Sequence, residues 1–94
     1  MTQQMDYIAV AVHGVDGYWS FFPGIPGAVV EFGEDLSILK RKTQATLERY
    51  ASLINNEQGS LPVQNYRAGD PVRRTDGSGE LIQKVAELYF RVTV

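Results

Sequence analysis

The chain has 94 residues, which suits one domain and leaves little room for a second. Its hydrophobic fraction of 44% and charged fraction of 21% are ordinary for a globular domain and argue against global disorder. A formal net charge of −2 gives no bulk signature of nucleic-acid binding, and the absence of cysteine excludes disulfides and thiolate metal sites.

The N-terminal residues 1–6 carry no basic run and no apolar core of signal-peptide length. The longest apolar stretch, residues 7–12, is far too short to span a bilayer, so a cytoplasmic protein without a membrane association is expected. Residues 7–13 read as a strand, an unbroken apolar run containing β-branched Ile8, Val10 and Val12. Gly14 to Gly17 then forms a turn. Asp16-Gly17 between two apolar runs is a hairpin signal, through residues that tolerate positive φ.

Residues 18–22 form the second strand. Alternation puts Tyr18, Ser20 and Phe22 on one face and Trp19 and Phe21 on the other. Pro23-Gly24-Ile25-Pro26-Gly27 is a rigid corner, because two prolines fix φ and two glycines allow reversal. Residues 28–32 are a third, β-rich strand. Asp35 is the N-cap of a helix whose apolar positions are Leu36, Leu39, Thr43, Leu47, Tyr50 and Ile54, with Leu53 beside them. The Asn55 to Gly59 segment stops it.

Residues 60–79 are the least regular part and carry Pro62, Pro71, Gly69, Gly77, Gly79 and the pair Arg73-Arg74. A long loop is expected there, with one short strand near residues 61–66. A helical turn is expected over residues 80–85. Residues 87–94 alternate as a half-exposed last strand, with Leu88, Phe90, Val92 and Val94 on one side. The expected fold is therefore α+β: a β-β-β-α-(loop)-β chain forming an antiparallel meander with one covering helix.

The first half of this pattern resembles the N-terminal domain of the HicB-type antitoxins. The resemblance rests on the apolar strand at residues 7–12, Asp16-Gly17-Tyr18-Trp19, Phe22-Pro23-Gly24-Ile25-Pro26-Gly27 and Gly33-Glu34-Asp35-Leu36. It covers residues 7–50. It implies a partial RNase H-like fold without nuclease activity, cytoplasmic, in a toxin-antitoxin system. It also implies a small basic partner, a HicA-type RNA-cleaving toxin whose active surface the antitoxin covers. Family members append a ribbon-helix-helix or helix-turn-helix module. No such pair of helices follows here, and direct DNA binding is not expected. The alternative is a stand-alone HicB-like inhibitor or decoy, for instance phage-encoded, that binds another nucleic-acid enzyme.

The residues give no active site of their own. His13 is the only histidine, and no serine neighbours it. The first strand reads Tyr-Ile-Ala-Val-Ala-Val-His with no acid to hold a metal ion, Asp6 lying just before it. No enzyme activity, cofactor or metal is expected. Gly14 to Gly17 lacks the Lys-Ser/Thr ending of a phosphate loop. Arg73-Arg74 and the helix face with Lys40, Arg41, Lys42 and Arg49 read as solvated surface. The aromatics remain divided between two uses. A single helix covers one side of the sheet, yet the second strand carries large groups on both. Tyr18, Trp19, Phe21, Phe22 and Ile25 are accordingly the candidate partner-binding residues, in a heteromeric or homo-oligomeric contact.

Overall fold

The computed structural model describes residues 4–25, 31–57, 59–74 and 77–93. The elements run β1 (Gln4–His13), β2 (Tyr18–Phe21), β3 (Glu31–Gly33), α1 (Leu36–Asn56) and β4 (Ala86–Thr93). All strand pairs are antiparallel, and the sheet order is β3-β2-β1-β4. The molecule is the α+β meander with one covering helix that the sequence pattern predicts. None of its described helices is long and apolar enough to cross a membrane.

The β1–β2 hairpin pairs Val10 with Phe21 and His13 with Tyr18. Its turn closes with the Gly14 N–H donating to the Gly17 carbonyl at 2.8 Å. Gly17 is required here for room, not for positive φ, and this corrects the sequence argument. A Cβ on Gly17 would lie 2.5 Å from the Gly33 carbonyl oxygen and 2.8 Å from the Phe32 ring. The hairpin tip thus packs directly on the end of β3. After β2, Pro23-Gly24 turns the chain, with the Ile25 N–H donating to the Phe22 carbonyl and Gly24 at φ 79°. Pro26 and Gly27, and residues 28–30 of the expected third strand, lie outside the described residues. β3 is seen as Glu31–Gly33.

Asp35 caps α1 as expected, its carboxylate accepting the Ile38 N–H at 2.8 Å. The helix buries Leu39, Thr43, Leu47 and Ala51 against the sheet. That face of the sheet supplies Tyr7, Ala9 and Ala11 from β1, and Leu88, Phe90 and Val92 from β4. Phe22 joins them edge-on to both Tyr7 and Phe90, at centroid distances of 6.2 and 6.0 Å. Ala9 and Ala11 of β1 are fully buried in this core. Leu53, placed beside the apolar stripe, is exposed.

Over residues 59–74 and 77–85 the chain is irregular, as the expected long loop requires, but the two short elements expected within it are absent. Residues 61–66 form no strand, and residues 80–85 form no helical turn. Instead Arg73 and Leu81 make an isolated antiparallel bridge, and the Ile82 N–H donates to the Val72 carbonyl at 2.7 Å. Residues 61–66 lie beside β1 through side chains. The Tyr7 hydroxyl donates to the Pro62 carbonyl at 2.6 Å. The Gln64 amide accepts from the Ile8 N–H at 2.7 Å and donates to the carbonyls of Ile8 and Pro23 at 2.8 and 3.0 Å. β2 ends opposite Val10, so the Ile8 backbone groups have no strand partner on that side. A single glutamine side chain takes the place of the missing strand.

Candidate partner-binding face

The pairing registers assign every strand residue to a face. Tyr18, Ser20 and Phe22 face the helix; Trp19 and Phe21 face the other way, with Val10 and Val12 opposite them on β1. This decides which half of the two-sided aromatic load the helix covers. The five candidate residues therefore separate. Phe22 and Ile25 are buried in the core, and Tyr18 is half-buried against it, stacked at 5.2 Å on His13. Phe21 is half-buried on the opposite face. Trp19 alone keeps a large exposed area, 44% of its surface.

Trp19 is held in place by its neighbours. Its ring packs on Phe32 across the β2–β3 pair, with centroids 5.0 Å apart and planes at 56°. Its indole also lies over Gly14, where a Cβ would come within 2.7 Å of it. The ring is thereby fixed as an exposed platform between the hairpin turn and β3. Val15, at the tip, is 98% exposed. Asp16 and Glu34 are exposed on the two turns that meet there, Gly17 standing against the Glu34 Cα. The patch is aromatic in the middle and acidic at its rim.

Elsewhere on the outer face Val10 is fully buried, whereas Tyr89 is exposed, and residues 66–74 and 77–84 run along the side nearer β2 and the start of β4. A cleft of about 540 Å³ lies between this segment and the β2 end, lined by Phe21, Phe22, Ile25, Tyr66, Val72 and Ile82 among others. Tyr66, Lys84 and Glu87 fasten the segment to β4. The Tyr66 hydroxyl donates to the Glu87 carboxylate and accepts from Lys84 Nζ at 2.7 Å. Lys84 also donates to the Asp70 carbonyl, and the Gly69 N–H donates to Glu87 at 3.0 Å. Burial, and then the Glu87 carboxylate, raise the Tyr66 hydroxyl above its ordinary pKa. The Tyr66 hydroxyl and then the Gly69 N–H hold Glu87 below the usual carboxylate range. Lys84 is raised chiefly by its bond to Tyr66.

Asp6, the acid nearest the first strand, extends that strand and pairs across it with Arg91, Oδ1 to Nε at 2.9 Å. Among the described residues no three His, Asp or Glu side chains converge as a metal cage would require. Sequence reasoning missed Phe32, Tyr66 and Glu87 as parts of this face. Tyr66, a lone aromatic in a polar loop, was the available signal, as was the i,i+3 spacing of Lys84 and Glu87.

Fold and face together define a small α+β domain: a four-stranded antiparallel sheet, a helix on one face, and an exposed aromatic platform on the other. No family model, no curated protein and no solved structure matches this chain.

Proposed function

We propose that the protein is a non-enzymatic HicB-like binding domain of partial RNase H-like type. It neutralises a small basic HicA-type toxin in the cytoplasm by covering the toxin's active surface. The observation that carries this reading is the Trp19 patch. A rigidly supported, 44% exposed tryptophan beside a fully exposed Val15 is a costly surface unless a partner covers it. The acidic rim of Asp16 and Glu34 matches a basic partner. The strand and helix order is also the order that the HicB resemblance implies.

The test is co-expression with the product of the adjacent small open reading frame, read by pull-down and by rescue of growth. A stable complex and rescue are expected. Trp19→Ala should weaken the complex by about 2 kcal/mol or more while the circular dichroism of the free protein stays unchanged. Neither complex nor rescue would overturn the antitoxin reading and leave the stand-alone inhibitor. RNA cleavage with Mn²⁺, abolished by Asp6→Asn, would overturn the non-enzymatic reading as well.

A further inference from the structure

The sheet has two edges. One is β3, described over Glu31–Gly33. β4 is a run of 8 residues, AELYFRVT, longer than a typical strand and without proline or lysine to discourage pairing. The direction of its free backbone groups follows from Gln64. That side chain engages both the N–H and the C=O of Ile8, from the side on which Pro23 lies. The Ile8 backbone therefore points away from β4. Its register partner, Tyr89, is then in a non-hydrogen-bonded pair and turns its own N–H and C=O to the free edge. By the two-residue period, Glu87, Arg91 and Thr93 do the same.

We propose that β4 pairs antiparallel with β4 of a second copy, about a two-fold axis through Tyr89, joining the two sheets into one of eight strands. The sequence of the strand is self-complementary in that register. Tyr89, 59% exposed, meets Tyr89 of the second copy in a hydrogen-bonded pair. Glu87 stands opposite Arg91 of the second copy, and Arg91 opposite its Glu87, so two opposite-charge pairs flank the axis on the outer face. On the helix face Leu88 stands opposite Phe90, and Ala86 opposite Val92. Arg91 bonds Asp6 through Nε and has further guanidinium donors to offer. A two-residue slip, which moves the axis to Phe90 or Leu88, would lose both opposite-charge pairs, and moving the axis on to Arg91 or Glu87 would set like charges against each other, which selects the register as well as the partner. Such isologous pairing leaves Trp19, on β2, free. It holds whether or not a toxin binds there.

Two experiments on the whole chain test this. Sedimentation equilibrium should show a reversible dimer, and Tyr89→Pro should raise its dissociation constant by about tenfold or more with the fold retained, because that N–H serves no internal bond. The chain has no cysteine, so introduced ones report position without ambiguity. Oxidised Tyr89→Cys should form a disulfide-linked dimer, since facing Cα atoms in such a pair lie about 5.5 Å apart. Thr93→Cys should not, because Thr93 faces Val85 of the second copy. A wild-type chain that sediments as a monomer at every concentration overturns the proposal. So does cross-linking at Thr93→Cys as fast as at Tyr89→Cys, or a dimer indifferent to both Tyr89 variants.

Discussion

Among the described residues, Ser20 and Thr43 are the two buried polar ones, and they satisfy each other. Their hydroxyls lie 2.7 Å apart, and Thr43 also donates to the Leu39 carbonyl one turn back. Because hydroxyls placed in an apolar layer lose water, the pair is stable only in one relative placement of β2 and α1. The periodicity put Thr43 on the buried face of the helix and Ser20 beside Tyr18 and Phe22. It gave no sign that they meet, since neither position has a sequence signal for the other. Thr43→Val keeps the shape and strands the Ser20 hydroxyl, and should cost about 1–3 kcal/mol. Ser20→Ala made together with it should cost clearly less than the sum of the single changes, because no unpaired hydroxyl then remains. Thermal or urea unfolding of the four proteins measures this, and strict additivity would show that the bond does not couple helix to strand.

At the scale of elements, what was legible was periodic. β1, the hairpin, α1 with its Asp35 cap, and the alternation of β4 all follow from apolar spacing and turn residues, and all are present. What was not legible was the path of residues 59–85. The bonds that hold residues 62–70 on the sheet involve side chains and residues far away in sequence. Gln64 reaches Ile8 and Pro23, and Tyr66 reaches Glu87. A glutamine that replaces a strand looks like any polar loop residue. The aromatic face was half legible. Alternation separated Trp19 and Phe21 from Tyr18 and Phe22, but only the register says which pair the helix covers. Gln64→Ala removes all three bonds at once and leaves the Ile8 N–H and two carbonyls to find water. A loss of about 2–3 kcal/mol is expected, with faster amide hydrogen exchange at Ile8. Unchanged protection at Ile8 would mean that water replaces the amide without cost.

For the molecule as a whole, the two faces of one sheet are treated differently, a packed helix on one and, on the other, a polar fastening of loop to strand beside exposed Trp19 and Tyr89. The second should respond to acid. Glu87 is held below the ordinary glutamate range by the Tyr66 hydroxyl and the Gly69 N–H, so the unfolded chain binds its proton more tightly than the folded one. The stabilisation is complete above the ordinary value, about 4.3, and is lost as the pH falls through the lower folded value. Asp6, lowered by its bond to Arg91, has the same sign. The melting temperature should therefore fall on going from about pH 6 to about pH 3. Glu87→Gln keeps the size of the side chain but has no carboxylate to protonate. It should melt well below the wild type near neutrality, and the gap should narrow steadily towards acid, with the residual slope left by Asp6. An additional Asp6→Asn change should flatten that slope further. A gap between wild type and Glu87→Gln that stays constant across this range would mean that the carboxylate charge contributes nothing to holding residues 66–70 on β4.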